Sequence, residues 1–375
     1  MGGSIVLRAL ATAALLVVGL PAATGARTPV IIVADVGIDD AAALLLAVRH
    51  PDLEILGIAA SFGTSGDVRQ TAANARRLLR AAGACVPVYT GSLYPLGEAR
   101  PPSDDGAYIH GRDGFGDVPV DEDLETAATM TCGSADAADE SLSAAEFIAV
   151  TARARPGLTI LVFSPLTNLA LAVLIEPNLP NLVDRVLIMG GAVYYPGNVS
   201  PLAEANFAHD SRAAKIVVDA FATDDGDKLV IAPLDVTMAA MVGHATMKGL
   251  GERLGGAEEL AARAWATYVV NYCKILKFCG DHGALHDVHP VAYLLWPGLY
   301  TKIEKLPVEI VVSQKLGPSN GHSLVDRRNL AKAGRSDDRT GEAARNASPR
   351  VTILLDVDAP AFEKAFVDAL EAGAV

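Results

Sequence analysis

Apolar positions along the chain fall into short runs set apart by polar turns, and the runs alternate between two kinds. Thr28–Ala34 is continuous, β-branched and apolar, the pattern of a strand buried on both faces. A turn over residues 35–38 follows, and then Ala- and Leu-rich residues 39–50 predict a helix. Leu53–Ala60 repeats the strand signal, residues 70–82 the helix, and residues 86–89 a third strand. Farther on, residues 159–163, 186–189 and 229–231 predict strands, 257–277 a helix, and 308–312 and 351–357 two late strands. Residues 291–296 form one more helix-like apolar stretch. This alternation predicts an α/β fold, a single Rossmann-like domain with a mostly parallel central sheet flanked by helices. In such sheets the ligand site lies at the C-terminal ends of the strands.

Two polar stretches interrupt the pattern. Residues 101–145 are rich in Gly, Asp and Ser and read as loop, with an acidic core at 121–139; residues 326–350 form a basic polar loop. The N-terminus is patterned differently. Arg8 precedes an apolar run over 9–20, then Pro21 and small residues through Ala26, the order of a secretory signal peptide at 1–26. An uncleaved anchor is the other reading, although the run is short for a membrane span. The expected domain is then 27–375, secreted.

Composition narrows the class. With 51% hydrophobic residues the chain can bury a large core, which excludes a disordered chain. A net charge of −13 lacks the footprint of a partner for nucleic acid polymers. Beyond the N-terminus no run approaches about twenty apolar residues, so no stable membrane insertion is expected. Cys85, Cys132, Cys273 and Cys279 permit two disulfides in an exported chain, with three connectivities, or buried thiols. Cys273 and Cys279 are close enough to close a short loop. Asn346-Ala347-Ser348 is a glycosylation sequon consistent with export.

The candidate chemistry starts at Asp35-Val36-Gly37-Ile38-Asp39-Asp40, where a strand ends and a helix begins. Three carboxylates in six residues repel one another unless a cation lies between them, and a hard divalent ion that prefers oxygen suits them. Asp39 and Asp40 could instead cap the helix, which leaves Asp35 unexplained. Ser164-Pro165-Leu166-Thr167-Asn168 follows another predicted strand, where a main-chain carbonyl could complete a calcium shell. Glu204 and Asn206, after Gly197-Asn198, would point to one side of an extended segment and could hold vicinal hydroxyls. In His286-Asp287 a carboxylate could serve a metal while the imidazole works as an acid, and the nearby His289 reads as a plain surface residue.

Taken together these segments resemble the inosine-uridine-type nucleoside hydrolases. The family's D-x-D-P-G-x-D-D-A turn is matched by Val33 to Ala41, its G-P-L-T-N by Ser164 to Asn168, and its M-G-G by Met189-Gly190-Gly191. Its G-N and E-x-N elements match Gly197-Asn198 and Glu204 to Asn206, a following acidic residue Asp210, and P-L-D-V-T Pro233 to Thr237. Its H-D pair matches His286-Asp287, with P-V-Y-x-G at Pro87 to Gly91 and H-G-x-x-G at His110 to Gly114. The likeness runs in family order over roughly residues 30 to 330.

The resemblance implies hydrolysis of the N-glycosidic bond of ribonucleosides such as inosine and uridine, in nucleoside catabolism and purine salvage. It implies one Ca²⁺ held by Asp35, Asp40, Asp287 and the Thr167 carbonyl, with Asp35 the general base and His286 the leaving-group acid. Asp39, His110, Asn198, Glu204 and Asn206 would bind substrate. A homodimer or homotetramer follows by the same analogy. The purine-specific branch carries W-D where this chain has His286-Asp287, so the broad or pyrimidine-accepting branch is favoured. Val33 and Val36 depart from the family turn, and Gly63-Thr64 stands where the family has G-N, an asparagine that the resemblance places close to the nucleophile and the ribose. That departure keeps open a catalytically weak extracellular nucleoside- or ribose-binding protein of the same fold.

Overall fold

The computed structural model describes residues 26–98, 106–119, 141–276, 280–313, 317–327 and 349–373. The N-terminal stretch before Ala26, expected from its pattern as a signal peptide, the acidic stretch 121–139 and most of the loop 326–350 lie outside these residues.

Among the described residues the central sheet has eight strands. Six are β1 (Thr28–Ala34), β2 (Leu53–Ala60), β3 (Val88–Thr90), β4 (Thr159–Val162), β5 (Arg185–Met189) and β6 (Leu229–Ala232). Two small antiparallel pairs lie outside it: β7 (Met241–Gly243) with β8 (His282–Ala284), and β10 (Val308–Ile310) with β11 (Ser323–Val325). The sheet is completed by β9 (Lys302–Leu306) and β12 (Val351–Asp356), in the order β3-β2-β1-β4-β5-β6-β12-β9. Every pairing is parallel except β12 with β9. The chain builds outward from β1 through β2 and β3, then returns to place β4 on β1's other side. This is a doubly wound order, with a crevice beyond the carboxyl ends of β1 and β4.

Alternate residues of β1 explain its unbroken apolar run. Val30, Ile32 and Ala34 belong to the core on one face of the sheet, while Ile31 and Val33 belong to the core on the other. The first face is covered by α1 (Ile38–Arg49), α2 (Val68–Ala81) and later helices, through Leu44, Leu45, Ala72 and Leu78. The second is covered by α4 (Ala144–Ala154), α5 (Thr167–Ile175) and α7 (Ser211–Phe221), through Ile148, Leu169, Val217 and Phe221. Two shorter helices, α3 (Ala107–His110) and α6 (Ala205–His209), stand at the rim of the crevice. The long helix α8 (Gly256–Leu276) packs against α1, and α9 (Val288–Leu295) and α10 (Ala359–Gly373) complete the first face.

Three sequence expectations are adjusted. The predicted strand at 308–312 forms as β10 but pairs with β11, outside the central sheet. The sheet edge is taken by β9, whose charged and half-exposed residues carry no apolar run to announce a strand. The stretch 101–145 is not all loop: it contains α3 and the start of α4, where Ser143 and Glu146 form a reciprocal cap.

Candidate active site

Asp35 is the first residue after β1, and Ile38–Arg49 begins three residues later. Gly37 permits the tight passage between them. A Cβ placed there would lie 2.5 Å from the Thr64 γ-methyl and 2.8 Å from His110 Nδ1. The Gly37 N–H donates to Asp40 Oδ2 at 2.9 Å, which caps the helix. The other Asp40 oxygen, Oδ1, is buried and without a hydrogen-bond partner. Capping and ligation are therefore not rival readings, because one carboxylate oxygen serves each.

Asp39, Asp40 and Asp287 bring one oxygen each within 4.8 Å of one another. Asp287 comes from just before α9, more than two hundred residues away, so only the fold assembles this trio. Asp35 lines the same cavity, and all four carboxylates are buried. Burial, followed by repulsion from neighbouring carboxylates, raises Asp35, Asp40 and Asp287 above the ordinary carboxylate range; burial alone raises Asp39, and for Asp40 the Asp39 charge adds to it. Among the described residues lining the cavity none is lysine or arginine. An unpartnered buried carboxylate oxygen inside an uncompensated acidic cluster fits a hard, oxygen-ligated cation. The trio includes Asp39, expected from sequence to bind ribose, alongside the two expected ligands Asp40 and Asp287.

Thr167 opens α5, wholly buried, and its hydroxyl donates to Asp210 Oδ2 at 2.6 Å. Asp210 also accepts from the Leu96 N–H at 2.8 Å and caps α7 through the Ala213 N–H at 2.9 Å. Thr167 does not belong to the described lining of the cavity. Asn198, Glu204 and Asn206 do line it. The expected extended segment at 204–206 is instead a helix start. Glu204 caps α6, accepting from the N–H groups of Asn206 and Phe207 and, at 2.8 Å, from Gly191. Burial still raises it to about 7. Asn206 donates to the Met189 carbonyl at 3.1 Å, and Asn198 accepts from the Ala205 N–H at 2.9 Å.

His286 is buried in the cavity wall with both ring nitrogens engaged. Its Nδ1 lies 2.7 Å from the Thr237 hydroxyl and its Nε2 3.2 Å from the Tyr272 hydroxyl. Desolvation lowers it to about 4, so the ring is neutral at pH 7. His110, on α3, accepts from the Ile38 N–H at 3.3 Å and lies 3.9 Å from Asp39. His289 is not a surface residue. It is fully buried, stacked on Phe362 at 4.5 Å, because α9 runs under the first face of the sheet.

Sequence reasoning passed over the aromatic wall. Trp265, Tyr268 and Tyr272 stack along α8 with centroids 4.9 and 5.2 Å apart, and Tyr268 and Tyr272 line the cavity with Tyr108 and Tyr195. The spacing i, i+3, i+7 within the predicted helix was the available signal. The cavity, partly open to solvent, measures about 260 Å³ and is lined by both the carboxylates and these tyrosines.

The family model described as inosine-uridine preferring nucleoside hydrolase matches residues 30–364. The chain is 32% identical to uridine nucleosidase 1 of Arabidopsis thaliana over 81% of this chain and 83% of that one. It is 30% identical to the pyrimidine-specific ribonucleoside hydrolase RihA of Salmonella gallinarum, over 92% and 98%. Among solved structures it resembles a purine-preferring ribonucleoside hydrolase from Gardnerella vaginalis, with TM-score 0.76, 25% identity, and 92% and 99% coverage. A plant nucleoside hydrolase, PpNRh1, superposes with TM-score 0.74 at 26% identity, covering 92% and 98%. The chain belongs to the inosine-uridine preferring nucleoside hydrolase family and is an N-glycosyl hydrolase of ribonucleosides.

Proposed function

We propose that the protein is a secreted, Ca²⁺-dependent nucleoside hydrolase that accepts pyrimidine nucleosides and releases ribose and free base. The observation that carries the metal reading is the convergence of Asp39, Asp40 and Asp287 around an unpartnered Asp40 oxygen. Asp35, Asp40 and Asp287 would hold the ion, with Asp39 beside them. When bound, the cation supplies Lewis acidity toward water and the vicinal hydroxyls of ribose. Asp35 takes the proton of the water that attacks the anomeric carbon. Glu204, Asn206 and Asn198 orient the sugar, and the carboxylates stabilise the positive charge that develops on it. The neutral His286 ring can pass a proton to the departing base only by receiving one, and the hydrogen-bonded Tyr272 hydroxyl at its Nε2 would be that relay partner.

Pyrimidine preference is supported by His286 in place of the tryptophan of purine-specific relatives, and by relatives named for uridine and pyrimidines. Secretion is supported by the N-terminal pattern and by Cys85 and Cys273, both disulfide-bonded; Cys132 and Cys279 lie outside the described residues. A protein that merely binds nucleosides needs no acid–base pair, and this chain retains both members.

The test is reducing-sugar release from uridine, cytidine, inosine and adenosine, with Ca²⁺ or chelator. Release should require the cation and be faster for the pyrimidines, and Asp35→Ala should lower kcat by about 10²–10⁴-fold. Release unaffected by chelation, or surviving in Asp35→Ala, would overturn the mechanism. Silence on every nucleoside would favour the binding protein.

A further inference from the structure

We infer that Thr64, which stands where the family motif has asparagine, is a positioning residue that holds Asp35 in the orientation its proton transfer requires. The inference rests on the proposed role of Asp35 as general base.

Thr64 grips the aspartate at two points. Its main-chain N–H donates to Asp35 Oδ2 at 2.6 Å, and its hydroxyl donates to the Asp35 carbonyl. The first bond aims the carboxylate; the second ties the loop that carries the first to the end of β1. The preceding residue allows this closeness. Gly63 has φ +153°, and a Cβ there would lie 1.9 Å from Asp35 Oδ2, so no other side chain fits without moving the carboxylate. On its other side the Thr64 γ-methyl fills the space that Gly37 leaves open. Thr64 itself lines the cavity and is nearly buried. The threonine therefore restrains both ends of the turn from Asp35 to Gly37, one by hydrogen bonding and one by contact. At this departure from the family motif the chain therefore still fixes Asp35, through Thr64.

Removing the hydroxyl alone separates these roles. Thr64→Val keeps the branched shape and loses the donor, whereas Thr64→Ser keeps the donor and loses the methyl. Thr64→Ala is a second variant without the donor, in case the added methyl of valine disturbs folding. With uridine as substrate, Thr64→Val and Thr64→Ala should lower kcat about tenfold to a hundredfold, since small misplacements of a catalytic group cost that much. KM should stay within about threefold, and Thr64→Ser should remain within about threefold of the parent in kcat. A purely structural role would move the serine variant as far as the other two, with kcat following Tm, and would overturn the inference. Parent-like kcat in both donor-free variants would do so too. Asp35→Asn runs beside them: an inactive Asp35→Asn with parent-like Thr64 variants sinks the positioning role alone, whereas an active Asp35→Asn removes the base itself.

Discussion

One oxygen of Asp40 caps α1 by accepting from Gly37, and the other is buried with nothing to accept from. A negative charge so placed, beside Asp39 and Asp287, is a cost to the metal-free fold. Asp40→Asn removes the charge and keeps an oxygen for the cap. In chelator at pH 8 this variant should melt a few degrees higher than the parent, yet it should show little of the rise in Tm that the proposed Ca²⁺ site predicts for the parent. Thermal scans with and without Ca²⁺ check both halves. A variant that keeps the full Ca²⁺-induced rise would remove Asp40 from the ion's ligands.

At the scale of elements, Asp210 joins three pieces of the molecule. It caps α7, holds Thr167 at the start of α5, and anchors the Leu96 N–H from the segment after β3. It lies beyond the described lining of the cavity, so its work is to place the elements behind the site. Asp210→Ala should cost about 2–3 kcal/mol, because it strips a buried cap and leaves its donors unsatisfied. Ser143→Ala removes an exposed cap of α4 and should cost about 1 kcal/mol or less. Urea denaturation measures both, and equal costs would mean that Asp210 is no more than a helix cap. The aromatic stripe of α8 acts at the same scale: packed against α1, the helix brings Tyr272 to the cavity that His286 also lines, where the two meet.

For the whole molecule, the buried carboxylates set how stability responds to pH. Glu204 rises to about 7 in the fold, and the metal-free aspartates rise with it. A carboxylate whose folded pKa exceeds its unfolded value binds more protons when folded between the two values. Stability therefore falls as pH rises through that window. Metal-free protein should lose Tm between about pH 4.5 and pH 7, from the ordinary Glu value up to the folded one. The proposed Ca²⁺ would compete with protons for the aspartates, so the rise in Tm expected from it should be larger at pH 8 than at pH 5. Scanning calorimetry across pH, with and without chelator, reads both trends. A chelated protein whose Tm climbs over that window would mean that these groups are not buried as acids.

The continuous apolar runs of β1, β2, β4, β5 and β6 were legible because a parallel strand is buried on both faces and must be apolar throughout. The Asp35–Asp40 turn and Ser164–Asn168 could be assigned to strand ends for the same reason, and the first could be read as acidic chemistry from repulsion alone. Strand β9, the pairing of β10 and the helical start at Glu204 were not legible, since local pattern does not say which backbone a short segment meets. Nor could spacing reveal that Asp287 closes on Asp39 and Asp40, that Tyr272 engages His286, or that Thr64 grips Asp35 twice. The sequence by itself determined most of the central strands, the fold class and the kinds of side chain available for chemistry, because these follow from periodicity and residue type. Only the tertiary structure decided which of those groups share a cavity and which oxygen is left without a partner, because both depend on distances between segments far apart in the chain.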